Sequence, residues 1–443
     1  MFQFWRTYKS KMLEEVNPSS LGLFRILIGF ILFIQTVSFM SDDFVTKNFV
    51  DSNIRFKFSN FEFLEPLSEQ GMNLLLFAMM IASIFIMLGR FFKITTAFFG
   101  LAFTYLWLLD KSYFNNHYYF ISLLVLLLFI SNADAWGSLK GKNKKATIPY
   151  YQVFALKAQI FLTFFIAGIN KINYYWMVKH QPMKHILEAK AELNGYDWLN
   201  SSFFTGFFSW SGLLFDLSIG FLLWIPKTRR LGVLMFIVFN LLNYWLFHDI
   251  GEIGIFPFLL LACIPIFLDP IKTSKKLEWL VPNKTKITSK STSKPILVYI
   301  LSGILVLQLV LPFRHVLYEG HVDWNGLGQR FSWRMKIMYK EVDMHFYLVE
   351  EGKTDKLEVN LGNFLNDKQY TNLMYYPDFI PIVAQYIKKV GVEKGLKNPK
   401  VLADFKVGFN GNKKMILVDP EADLSKVKYA TGNELYWLKS KVW

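Results

Sequence analysis

The chain has 443 residues, of which 53% are hydrophobic and 18% aromatic, and its mean hydropathy is +0.27, which is too apolar for an ordinary water-soluble enzyme. A formal charge of +15 would suit a nucleic-acid binder. The basic residues, however, stand in short runs between apolar stretches, so membrane topology accounts for them and nucleic acid is set aside as a partner. A single cysteine, Cys263, excludes an intrachain disulfide and any multi-cysteine metal centre.

A helix needs about 20 mostly apolar residues to cross roughly 30 Å of hydrocarbon. In chain order the candidate spans are residues 21–40, 72–89, 94–109, 118–130, 151–168, 206–226, 231–247, 255–268 and 295–312, two of them short. The first lacks a small-residue cleavage site and is expected to remain as an anchor. The expected fold is a polytopic α-helical membrane protein of about nine transmembrane helices, with a small C-terminal α+β extramembrane domain.

Basic residues gather on alternate loops: Arg6, Lys9 and Lys11; Arg90 and Lys93; Lys140, Lys142, Lys144 and Lys145; Lys227, Arg229 and Arg230; and the Lys/Ser/Thr linker 272–294. The other loops carry acids such as Asp42, Asp43, Glu62 and Glu65. Because basic flanks resist translocation, the N-terminus is expected in the cytoplasm and everything after Pro312 outside. That topology puts Asn115, Asn116, His117, Lys171 and the stretch His248–Glu252 at external helix ends. From residue 313 the pattern changes to a connector and then to period-2 runs near 345–349 and 356–359, a helix near 379–390 and an Asn410-Gly411 turn. The division is therefore 1–312, a transmembrane domain, and 313–443, a connector with an α+β domain.

Lys171 ends an apolar helix rich in small residues and precedes Trp176. A lysine there is either a snorkelling anchor or, if burial disfavours its ammonium, a neutral amine able to act as a base. Asn115, Asn116 and His117 either cap a helix or line the mouth of the bundle. Arg25 and Asp216 fall inside spans, where a charge needs a partner, so a structural ion pair or network is the expected role. The loop from His248 to Gly254 holds a histidine and two acids without paired metal-ligand spacing, so no metal is expected. A transporter would show repeated halves, and no internal repeat is evident.

In register along the chain stand Ser20-Leu21-Gly22-Leu23-Phe24-Arg25; Leu108-Leu109-Asp110-Lys111 through Asn115-Asn116-His117; Phe165-Ile166-Ala167-Gly168-Ile169-Asn170-Lys171 with Trp176; Leu214-Phe215-Asp216-Leu217-Ser218-Ile219-Gly220; and Leu311-Pro312-Phe313-Arg314-His315 with Gly320, Trp324 and Ser332-Trp333. In these segments the chain resembles the vitamin K-dependent gamma-glutamyl carboxylase family, including bacterial relatives with the horizontally transferred transmembrane domain. The resemblance implies an enzyme in which Lys171 deprotonates a reduced naphthoquinone, either vitamin K or menaquinone. Reaction with O2 gives the epoxide and a strong base. That base removes a γ-proton from a glutamyl side chain, which then takes up CO2. It further implies Asn116 and His117 beside the base, and His315, Trp176 and Asn240 at the quinone. Asn240 stands where animal enzymes carry a histidine. A protein or peptide substrate on the non-cytoplasmic side and a bacterial inner membrane are implied as well. The alternative is a non-catalytic membrane scaffold that presents the external domain to partner proteins.

Overall fold

The computed structural model describes residues 2–139, 147–250, 253–279, 295–429 and 435–439. The basic loop residues Lys140 to Lys145, Glu252 and positions 280–294 of the linker lie outside them. The helices are α1 (Phe2–Met12), α2 (Ser19–Ser41), α3 (Glu69–Leu88), α4 (Phe92–Leu108), α5 (Asn116–Ile130), α6 (Tyr151–Lys171), α7 (Tyr174–Met177), α8 (Met183–Asn194), α9 (Ser202–Trp224), α10 (Arg229–Phe247), α11 (Phe256–Leu261), α12 (Pro270–Lys276) and α13 (Pro295–Val310). Two short strands, β1 (Glu15–Val16) and β2 (Ile148–Pro149), pair antiparallel beside the start of α2.

Among the described residues six helices are long and apolar enough to cross a membrane: α2, α3, α6, α9, α10 and the segment Pro295–Leu317. A seventh candidate, Phe256–Phe267 followed by Pro270–Lys276, bends by 104° at its break. Helices α4 and α5 have 17 and 15 residues, about 25 and 22 Å at 1.5 Å per residue, short of the full hydrocarbon thickness. The expectation of about nine spans is thereby corrected to a polytopic bundle of unequal helices. Hydropathy marks apolar runs but cannot see that Asp269 caps a new, sharply turned helix at Pro270.

The bundle's long helices are apolar on all sides, as buried or lipid-facing helices must be. Leu74, Ile94, Leu101, Leu234 and Val306 stay exposed on outer faces. Close approach depends on small residues. A Cβ at Gly29 would come within 2.6 Å of the Met87 backbone, so α2 and α3 touch there. Arg25 is fully buried and donates to the carbonyls of Ala133, Ile86, Met87, Trp136 and Gly137. It is a structural network, as expected of a charge inside a span.

In the C-terminal domain the connector holds α14 (Val322–Asn325), and the sheet comprises β3 (Lys340–Val349), β4 (Leu357–Val359), β5 (Lys400–Phe409) and β6 (Met415–Ile416). The order is β4-β3-β5-β6, all antiparallel, with Lys340 opposite Phe409 and Val349 opposite Lys400. Alternate residues Val401, Ala403, Phe405 and Val407 of β5 point inward. They pack on α15 (Asp367–Tyr375) and α16 (Ile380–Glu393) through Leu373, Ile380, Val383 and Ile387.

A buried polar seam docks this domain on the bundle. Asp378 accepts from Lys111 at 3.0 Å and from Arg330 at 2.9 Å, and Phe56 packs against Phe379. Burial raises the Asp378 carboxyl, but Arg330 and Lys111 outweigh it and hold the group below its ordinary range. Trp333 lies in the helical core although it follows the last apolar helix, while Trp324 belongs to the core of the C-terminal domain.

Candidate functional site

Helices α6 and α9 cross at glycine. A Cβ at Gly168 would meet Leu217 at 2.8 Å, and one at Gly220 would meet the Phe161 ring at 2.4 Å. Only hydrogen on both helices permits this approach. It brings the last residue of α6, Lys171, against Asp216 in the middle of α9, and the two form a buried ion pair. Their side chains are 10% and 4% exposed, so neither charge is offset by bulk water.

Local caps and clamps hold the lysine end of α6 in place. The Asn173 side chain accepts from Trp176 N–H at 3.0 Å and starts α7. The Trp176 indole N–H donates to Ser209 O at 2.8 Å, and its ring centroid lies 4.9 Å from Lys171 Nζ, a cation–π contact. Asn170 donates to Ser332 O at 2.8 Å and accepts from Arg334 at 3.0 Å, and Arg334 is itself held by Asp323. The connector to the C-terminal domain therefore grips the residue next to the lysine.

Lys171, Asp216, Trp176, Asn240 and His117 line one cavity of about 440 Å³, within the range of about 300–1,000 Å³ usual for small-molecule sites. The remaining wall is largely aromatic and aliphatic. At its rim Phe207 of α9 and Leu234, Val238 and Leu242 of α10 are also exposed on the outer surface of the bundle. The cavity thus opens between α9 and α10 on a lipid-facing side. Met183 of α8 and Lys336 of the C-terminal segment close it elsewhere.

Asn240 is 1% exposed and donates through Nδ2 to Phe236 O at 2.8 Å, while its Oδ1 has no hydrogen-bond partner. The His117 ring stacks on Phe256 with centroids 3.8 Å apart. It also lines a second, more polar cavity of about 270 Å³ with Gln35, Asp42, Asn48, Asn115 and Lys368. Asn116 lines neither cavity. His315 lines neither as well; its Nδ1 sits 3.0 Å from Pro312 O, and its backbone lies under Gly328.

Four of the six residues singled out in the sequence, Lys171, His117, Trp176 and Asn240, therefore meet at one cavity, and Asn116 and His315 do not. The picture of a lone amine kept neutral by burial gives way to a pair: Asp216, read from sequence as structural, is the lysine's direct partner. Gly168 and Gly220 were the signals that could have placed it there. A lysine–carboxylate pair in an apolar wall has no net charge whichever atom holds the shared proton. It can therefore present a free amine without creating an isolated charge. Among the described residues no group of three His, Cys, Asp or Glu side chains is arranged to hold a metal ion.

A family model described as HTTM domain matches residues 13–271. A second, described as the vitamin K-dependent gamma-carboxylase lumenal domain, matches residues 293–441. No solved structure matches the chain.

Proposed function

The chain belongs to the vitamin K-dependent gamma-carboxylase family, and from that premise we propose that it oxygenates a reduced naphthoquinone to its epoxide and couples this to carboxylation of glutamyl side chains. It is an integral membrane protein with an external C-terminal domain. The proposed topology has a cytoplasmic N-terminus in a bacterial inner membrane, which leaves a protein or peptide substrate outside. The observation that carries the reading is the Lys171–Asp216 pair, set in the wall of an apolar cavity that opens toward lipid.

The cavity suits a flat, lipid-borne ring. Its aromatic lining excludes water, its rim faces the acyl chains from which an isoprenoid-tailed quinone arrives, and Asn240 offers an unfilled acceptor. Vitamin K and menaquinone share that ring, so the lining accommodates both. When bound, the reduced ring supplies the reaction with O2 that drives removal of a glutamyl γ-proton, after which CO2 is captured. Lys171 prepares this by acting as the base. Once its proton has passed to Asp216 Oδ2, the amine faces the cavity and takes the proton of a ring hydroxyl. Trp176 fixes the position of Nζ. His117, stacked on Phe256 between the apolar and polar cavities, is placed to contact the external reactant. The dry lining keeps a strong base from being quenched by water. Asn116 and His315, also carried over from the family resemblance, would act from outside the cavity wall.

The test is aerobic incubation of the full chain in nanodiscs with reduced vitamin K or menaquinone, followed by mass spectrometry of the quinone products and of a glutamate-containing peptide. Epoxide from the wild type and none above background from Lys171→Ala is expected. Full epoxidation by Lys171→Ala would eliminate the proposed base. Unaltered quinol from the wild type would return the reading to a scaffold that presents its external domain to partners.

A further inference from the structure

We infer that Asn240 makes the cavity selective for the hydroxyl form of a ring over the same ring as a dione, so that one side chain both holds the substrate and weakens the hold on the product. This deepens the proposed function and rests on the ring occupying that cavity. The amide's orientation is forced by chemistry: a backbone carbonyl can only accept, so the end of Asn240 that lies 2.8 Å from Phe236 O must be its NH2. The other end, Oδ1, is then a pure acceptor, buried and without a partner in a wall that is otherwise mostly apolar.

A ring hydroxyl satisfies that oxygen once the lining beside Asn240 yields to the ring, since the oxygen itself is buried. A ring carbonyl cannot, because two acceptors would face each other while Asn240 stays desolvated and unpaired. Other donors in the cavity do little to reverse the preference. The Trp176 indole N–H is engaged by Ser209 O, the Ser211 hydroxyl by Phe208 O, and one N–H of Lys171 by Asp216, while the other polar lining residues, His117, Asn243 and Lys336, can donate to a hydroxyl oxygen as well as to a carbonyl. Histidine at this position would accept or donate according to its tautomer and would not discriminate in this way. Conversion of the diol to a dione epoxide removes the donor that Asn240 reads, which favours release of the product.

The experiment uses the full chain in nanodiscs under argon, titrated with 2-methyl-1,4-dihydroxynaphthalene and separately with 2-methyl-1,4-naphthoquinone, with affinity read by calorimetry. One buried hydrogen bond gained against one acceptor left empty gives about a tenfold preference for the diol. Asn240→Leu should bring the ratio close to one by weakening the diol while leaving dione affinity unchanged, which also shows that the variant's cavity is intact. Equal affinities in the wild type, or a ratio that survives in Asn240→Leu, overturn the inference. If the variant loses both probes, the wild-type ratio decides. Failure of the wild type to bind either ring overturns the cavity reading and this inference together, whereas binding without discrimination overturns this inference alone.

Discussion

Replacing Asp216 by Asn leaves the Lys171 ammonium in an apolar wall without its counter-ion. Removing one member of a buried pair costs about 3–5 kcal/mol because the survivor is an uncompensated charge. The two single replacements should differ within that range. After Asp216→Asn the ammonium keeps the Trp176 face at 4.9 Å, a contact worth up to about 2 kcal/mol when desolvated, so the loss lies near the lower end. After Lys171→Met the Asp216 carboxylate keeps no ion-pair partner among the described residues, and the loss lies near the upper end. The double replacement Lys171→Met with Asp216→Leu removes both charges and should return to within about 1 kcal/mol of the wild type, because an apolar pair of similar volume is no worse than a buried ion pair. Denaturant titration in mixed detergent micelles, followed by tryptophan fluorescence, measures all four proteins. All three variants should lack epoxidation, which separates chemistry from folding. A double variant destabilised by the sum of the single losses would refute the argument, because it would mean the two side chains act independently.

The Asp378 carboxyl is depressed by Arg330 and Lys111, so the stability it contributes is present above the unfolded carboxyl value of about 4 and is lost as pH falls through the lower folded value. Hydrogen exchange in α15 and α16 should rise as pH drops below about 4, and Asp378→Asn, expected to loosen the docking by about 3 kcal/mol, should abolish that pH dependence. At Lys340 the cause is burial itself, which lowers the ammonium to about 8, partly offset by Asp323. The unfolded chain therefore binds more protons between about 8 and 10.4, and stability rises with pH across that window by an amount on the order of 3 kcal/mol. Comparing the wild type with Lys340→Met from pH 7 to 10.5 isolates it, and a flat difference would contradict the assignment. Gly168→Leu should push α6 off α9 at Leu217, cost about 1–3 kcal/mol by overpacking and abolish epoxidation by separating Lys171 from Asp216; retained activity would refute the glycine argument. Leu234→Trp should obstruct the rim and raise KM for long-tailed quinones several-fold more than for tailless ones, with kcat for the latter unchanged.

The membrane character was legible because hydropathy is a property of each segment taken alone. The number and form of the spans was less so, since helix length in α4 and α5 and the break at Asp269 depend on caps and packing partners. Arg25 was read correctly as structural from its position inside a span. Asp216 was likewise expected in an ion pair and forms one, but its partner was not named, because that depends on which neighbour α9 crosses. That neighbour is chosen by Gly168 and Gly220, residues that carry no chemistry. Asn116 shows the converse: it adjoins His117 in sequence, but successive residues on a helix point about 100° apart, and only the histidine reaches the cavity. In the C-terminal domain the 345–349 and 356–359 runs were recognised as strands. The central strand β5 was missed, although its inward Val401, Ala403, Phe405 and Val407 follow the alternation expected of a half-buried strand.

Trp333 has practical weight for anyone recombining these proteins. Fully enclosed among α5 side chains such as Tyr119 and Phe120, it is a plug supplied to the bundle from beyond its last span. A chimera joined just after Pro312 would carry a hole in one half and a stranded indole in the other, whereas a junction after Arg334 would keep the plug, and the grip on Asn170, with the helices they serve.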